Sequence, residues 1–414
     1  MEKTLRINTG SAVMLNEHAD IFSNFDSFSI NTGSMLISQK VYDKMMGIGA
    51  SINAGSMKIL NITGELVELP GNTVITASMA FDGCFLVCEG NLVIEDISGL
   101  KNITGLYANA VFHAESVDIK AIGDKITAPL TAYPDGAKLR FGDMALDDGS
   151  PILMEDNARY WVDGAIKALD GGVIEKLALK KVSFQCKKLI IHTGFYEKHS
   201  DMFRAGSYLF IPDDHAVADD ITLDASTPVL YGEKLFILGD LMVPHNQSAH
   251  LRDFTSLTVH GTATMPVSAA ADFKKCGKAG SFELYEGVLI PLNGFQTIGR
   301  EQLRSALERG ICYTLRVNGA LYFHDDVTAQ DMDAIAAVSC NGVISAPDRA
   351  RGTLDAKIKD INGTVIDIDA MLKKTYGEDF TYGNDPIGFI QKALQQINGG
   401  GEKGSGINAG SYRI

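Results

Sequence analysis

The chain has 414 residues, 45% of them hydrophobic and 21% charged, and a formal net charge of −14; this is the composition of a folded chain and excludes a disordered one. The acid excess, with only the isolated basic pairs Lys180–Lys181 and Lys187–Lys188, excludes a sequence-independent grip on nucleic-acid phosphates. No run approaches the roughly 18 consecutive apolar residues of a membrane span, and six scattered cysteines with no CxxC pair exclude a zinc ribbon or disulfide framework.

The N-terminus, MEKTLRINTGS, has no apolar leader, which predicts a cytoplasmic protein, with release by lysis or dedicated machinery left open. It runs into the first of three near-identical phrases: LRINTGSAVM (5–14), FSINTGSMLI (28–37) and ASINAGSMKI (50–59). Aligned on Ile7, Ile30 and Ile52, each reads apolar, Asn, small, Gly, Ser, at a spacing of about 22–23 residues. Between the first two, NEHADIFSNF (16–25) places Ala19, Ile21, Phe22 and Phe25 on one side and predicts a short helix.

A looser phrase, apolar-x-small-x-apolar or small, continues down the chain. Its anchors are Cys88, Phe112, Val162, Ile237, Val259, Val317, Cys340 and Ile361, with weaker copies near Phe141, Phe184, Ile211 and Tyr285. Period-two alternation predicts strands with the anchor and the small residue facing inward. The small residue implies that another layer comes close there. Oversized or irregular stretches fall near 60–87 and 119–160. The connectors 248–254, 268–276, 297–310 and 328–338 read as short helices. Thr297 stands before the third of them, Leu303 and Leu307 lie on its face, and Gly310 stops it; Thr328 is the N-cap candidate of the last, with Met332, Ile335 and Ala336 as its stripe.

Strand, turn, short helix, turn at this period resembles a leucine-rich-repeat solenoid, most closely at Leu257-Thr-Val259-His-Gly-Thr-Ala-Thr-Met265-Pro with Phe273 and Cys276 behind it. The resemblance implies an α/β solenoid over residues 1–368 with one continuous parallel sheet, and a concave sheet face able to bind another protein. An all-β right-handed solenoid is the alternative.

The residue after each anchor should face outward. That column holds Asn8, Asn31, Asn53, Asn318, Asn341 and Asn362, with Glu89, His113, Asp163, Leu238 and His260 between them. Asn is depleted in strands. Either it forms an amide ladder between strands about 4.8 Å apart, or it is a solvated face.

Residues 369–398 read as a C-terminal helical segment centred on DPIGFIQKALQQI (385–397), and 399–406 as a flexible linker. Residues 407–414, INAGSYRI, repeat the opening phrase. GGGEKGSG is not a phosphate-binding loop, because Lys403 precedes Gly404 and a strand-like phrase follows. The expectation is that Ile407, Asn408, Ala409, Gly410 and Ser411 add as a strand beside Ile7, Asn8, Thr9, Gly10 and Ser11. Within a chain this caps a sheet edge; between copies it gives a homo-oligomer or polymer.

Nothing in the sequence has the spacing of a metal site or a nucleophile elbow, and no cofactor is expected. The acidic pairs Asp213–Asp214, Asp219–Asp220 and Asp325–Asp326 sit in turn-like stretches. Three readings follow: a non-enzymatic structural protein that self-associates, as in a filament or sheath; a monomeric protein-recognition scaffold; and a polysaccharide-active β-helix enzyme using those carboxylates.

Overall fold

A computed structural model describes residues 4–15, 27–376 and 405–413. The predicted helix at 16–25, and nearly all of the predicted helix and linker over 377–404, lie outside the described residues. The chain forms two compact units, one of residues 1–210 with 402–414 and one of residues 211–401.

In the first unit, β1 (Thr4–Met14), β2 (Ser27–Ser38) and β3 (Ser51–Leu60) lie side by side, with helix α1 (Gln39–Gly47) between β2 and β3. Ser38 caps α1 by accepting from the Val41 amide at 3.3 Å. Val41 and Met45, one turn apart, are the residues it buries. A second sheet follows. β4 (Glu65–Leu69) and β5 (Thr73–Ile75) both pair with β6 (Cys84–Ile94), as two halves of one line. β7 (Gly105–Ala114) is next, flanked in the same way by β8 (Ile126–Thr127) and β9 (Leu130–Tyr133). In the third sheet β10 (Lys138–Phe141) and β11 (Met144–Ala145) share the edge of β12 (Arg159–Ala168), followed by β13 (Ser183–His192) and β14 (Phe203–Ile211). Its connections carry α2 (Ser150–Leu153), α3 (Gly171–Leu179) and α4 (Thr193–His199). The Asp170 carboxylate caps α3, accepting from the Gly172 and Val173 amides.

The second unit holds two sheets. The fourth consists of β15 (Ala216–Ala218), β16 (Ile221–Thr222), α5 (Thr227–Tyr231), β17 (Lys234–Ile237), β18 (Leu241–Met242), β19 (Ser256–Pro266), α6 (Ala270–Cys276) and β20 (Gly277–Tyr285). Here β15 with β16, and β17 with β18, again make split lines. The fifth is β21 (Val288–Ile298), α7 (Arg300–Glu308), β22 (Tyr313–Phe323), β23 (Ile335–Ser345), α8 (Asp348–Asp355) and β24 (Ile358–Ile366), with α9 (Ile368–Tyr376) behind it. Finally β25 (Ser405–Arg413) joins the first sheet beside β1.

Strands pair in parallel wherever their register is defined, and neighbours are mostly successive in the chain. Mostly parallel strands in several sheets with short helices make an α/β arrangement. The expected single continuous sheet is corrected to five sheets among the described residues, each over its own core. Counting split strands as one line, the second to fifth sheets each have four lines drawn from consecutive sequence. They begin at Glu65, Lys138, Ala216 and Val288, a period of roughly 75 residues. The irregular stretches near 60–87 and 119–160 coincide with the split lines at the starts and ends of these sheets.

Four sequence expectations change. Residues 328–338 are not a helix. A 3₁₀ turn at Asp331–Ala334 runs straight into β23. Thr328 stands before that turn and not before an α-helix; its amide and hydroxyl donate to Oδ2 of the buried Asp331 at 2.9 and 2.6 Å, its hydroxyl is 3.4 Å from the Asp331 amide, Arg300 lies 3.2 Å from the same Oδ2, and Arg304 holds Oδ1 at 3.0 Å. Ile335 and its successors instead extend a parallel ladder with β22. Residues 248–254 likewise form a 3₁₀ helix. Residues 297–310 do contain α7, but Thr297 lies in β21, Gly299 is the cap, and only Leu303 of the leucine pair is fully buried. Gly310 takes φ +67° at the stop. Lastly, the anchor opposite Cys88 is Ala108, not Phe112. The strand changes face between the two: Ala108 and Val111 lie in the core with Cys88, while Phe112 packs on the opposite side with Val93 and Trp161, a break in the period-two pattern that the letters do not mark.

Candidate strand-addition site

The first sheet runs β25–β1–β2–β3. Ile7, Ile30 and Ile52 stand in one row across β1–β3, and Asn8, Asn31 and Asn53 in the next. Ile7 and Ile30 are buried with Leu5, Phe28 and Met14. Inward positions are odd-numbered in β1 before Gly10 and even-numbered after it, where Ala12 and Met14 are buried. The glycine marks where the strand changes the face it presents. A threonine hydroxyl spans that point in both inner strands. Thr9 Oγ1 donates to the Ser11 carbonyl and Thr32 Oγ1 to the Ser34 carbonyl, each at 2.8 Å.

The glycine itself answers to the neighbouring strand. A Cβ on Gly33 would lie 2.8 Å from the Gly10 carbonyl oxygen, and one on Gly55 would lie 2.8 Å from that of Gly33. The same stack recurs in the fifth sheet, where Gly294, Gly319, Gly342 and Gly363 are in register. There the Cβ of each later glycine would come within 2.3 Å or less of the preceding carbonyl oxygen. The layer that excludes a larger side chain is therefore the next strand of the same sheet. Where a line is split, an aspartate beside the glycine takes over: Asp143, Asp220 and Asp240 accept the amides of Ala165, Asp240 and Thr262 at 2.7–2.8 Å.

The outward asparagines meet one another. Asn53 Nδ2 donates to Asn31 Oδ1 at 3.0 Å, Asn341 to Asn318 at 3.4 Å, and Asn362 to Asn341 at 3.1 Å. Asn293, absent from the sequence reading, extends this row opposite Asn318. Glu89 and His113 do not share a row: Asn109 donates to the Glu89 carbonyl, while His113 lies opposite Ile94 and Ala132.

β25 sits parallel to β1 with Ile407 opposite Ile7, Asn408 opposite Asn8, Ala409 opposite Thr9 and Ser411 opposite Ser11. Gly410 and Gly10 fall at the same point of the ladder. The slot after the asparagine is Thr in β1 and β2 and Ala in β3 and β25, so the two inner strands carry the hydroxyl and the two outer strands do not. The acidic pairs do not converge. Asp214 meets Lys234 and His215, Asp220 holds a backbone amide, and Asp325 faces Arg349 at 3.6 Å. No group of three metal-ligating side chains is found among the described residues, and no described helix is long and apolar enough to cross a membrane.

No family model, curated protein or solved structure matches the chain at a significant level.

Proposed function

We propose that this is a structural protein that self-associates by adding its C-terminal strand to the N-terminal sheet of a neighbour, building an open, head-to-tail homopolymer such as a filament or sheath. The observation that carries the reading is the register of β25 on β1, Ile on Ile, Asn on Asn and Ser on Ser. Within one chain this contact fills the only four-line sheet, among those described, that consecutive sequence leaves one line short. The same contact made by another copy is a strand swap, and a heterologous swap that does not close on itself propagates. The 28 residues between Tyr376 and Ser405, read as a helix over 385–397 and extended elsewhere, reach about 70 Å, a span that a link between copies can use. In this reading each protomer is a repeat array of the solenoid kind, with stacked glycines and amides setting the register of strand addition.

A chain ending at Asn398 should fold and expose the β1 edge. A fluorescent peptide of residues 405–414 should bind it saturably, and a peptide with Gly410→Val should not. Equal binding of both peptides, or of neither, would defeat the proposal.

A further inference from the structure

Three polar residues stand level at the starts of adjacent strands of the fourth sheet. Lys234 is opposite Ser256, and Leu235 is opposite Ala216, which places His215 at the same height one line further out. The His215 ring reaches across the intervening line. Its Nε2 lies 2.8 Å from Ser256 Oγ, and its Nδ1 lies 2.7 Å from Asp214 Oδ1. Lys234 Nζ holds the other carboxylate oxygen, Asp214 Oδ2.

The carboxylate places one ring proton. Hydrogen bonds from Lys234 and then from His215 hold the Asp214 carboxyl down at about 2, so near neutral pH it is a carboxylate and only accepts. Nδ1 must therefore donate, and a ring without a second proton presents its Nε2 lone pair to the Ser256 hydroxyl. The His215 side chain is 8% exposed, so the ring is held in place, while Asp214 is 55% exposed. Ser256 and His215 both line an open cavity of about 340 Å³, whose wall also carries Lys274, Lys275 and Lys278. Lys275 is paired with Asp272, and the side of the cavity formed by these three residues is basic.

We propose that Ser256 is the nucleophile of an acyl-ester hydrolysing site, with His215 as general base, Asp214 as the residue that orients it, and an ester bearing a carboxylate or phosphate as substrate. A nucleophile bonded to a base that is itself oriented by a third group is the arrangement that acyl transfer requires. Ser256 Oγ attacks the ester carbonyl and forms the Oγ–C bond as its proton passes to Nε2. The C–O bond to the alcohol breaks, and the departing alkoxide takes that proton. Water then attacks the acyl-serine, gives its proton to Nε2, and releases the acid as Oγ is reprotonated. The lysine ammoniums supply positive potential to the developing oxyanion and to the substrate's anionic group.

A histidine that merely stitched two strands together would not make Ser256 reactive, and this separates the readings. The full-length protein is treated with a fluorophosphonate probe and, separately, with the p-nitrophenyl monoester of succinate and p-nitrophenyl butyrate. Expected are labelling mapped to Ser256, a labelling rate that rises with pH through the histidine range, at least tenfold faster turnover of the succinate ester, and loss of both signals in Ser256→Ala and His215→Gln. Melting curves of the variants that match the parent keep a folding defect from imitating the result. Unlabelled Ser256, hydrolysis no faster than that of Ser256→Ala, or a preference for the neutral ester would overturn the assignment.

Discussion

At the scale of single residues, some glycines are required by a neighbouring strand, some by a positive φ, and a few by neither. Gly342 has φ +138°, and its Cβ would lie 1.9 Å from the Gly319 carbonyl oxygen. Gly342→Ala must both strain the backbone and push the strands apart, and should cost about 2–4 kcal/mol. Gly352 lies inside α8 with no atom within 4 Å of its added Cβ. There, Gly352→Ala should stabilise by about 0.5–1 kcal/mol through helix propensity alone. Urea unfolding of the pair checks both signs. This contrast was partly legible in the sequence. The recurrence of a small residue after each anchor showed that space was short, but the letters could not say that a carbonyl of the same sheet fills it. Of the serine, histidine and aspartate of the fourth sheet, only Asp214 stood out in the sequence, and as one of an acidic pair. His215 and Ser256 are 41 positions apart, and only the parallel register brings them level.

Elements are held by second faces as well as by cores. Leu15, Leu36 and Leu60 of the first sheet pack on Phe85 and Val87 of the second. Val93, Phe112 and Tyr133 of the second pack on Trp161 of the third. Phe112 and Trp161 meet edge to face with centroids 5.6 Å apart. Trp161→Ala should cost about 3–5 kcal/mol. Because Trp161 is the sole tryptophan, the parent's fluorescence shift on denaturation reports this contact directly. In the fifth sheet α9 covers the equivalent face, with Ile368 and Leu372 against Tyr322 and Val343. The Tyr322 hydroxyl donates to Asp369 Oδ2 at 3.1 Å. Burial, more than the nearby Asp325 and Asp367, raises the Asp369 carboxyl above its ordinary range. The folded state thus holds that proton more tightly than the unfolded state does. Docking of α9 is strongest below the ordinary carboxylate pKa and weakens as pH rises through the raised folded value. Protection factors of the amides over 368–376, which remove the intrinsic base-catalysed rise in exchange, should be lower at pH 8 than at pH 5, and Asp369→Asn should flatten that difference. The sequence reading placed a C-terminal helical segment from residue 369. It could not assign the helix to a sheet face, because the face that receives it is built from residues 295–366.

For the molecule as a whole, the recurring strand phrase was legible and the grouping of the strands was not. The four copies of the opening phrase gave the register of β25 on β1 to the residue, because identical side chains pair best with themselves across a parallel ladder. The grouping of lines into fours escaped the sequence reading. A split line such as β4 with β5 has no uninterrupted phrase of its own to count. The Thr and Ala alternation, with Ala in the two outer lines of the first sheet, was visible in the letters but had no meaning until the strand order was known. The tail therefore completes a set of four that the N-terminal sequence starts and does not finish. The most direct measurement is particle mass against concentration, for the full chain and for a chain ending at Asn398, by light scattering with parallel negative-stain imaging. The account predicts that the full chain grows in mass with concentration into elongated particles, while the shortened chain stays at the mass of one copy with unchanged circular dichroism. A shortened chain that assembles like the parent, or a full chain that remains a single copy at all concentrations, would contradict it.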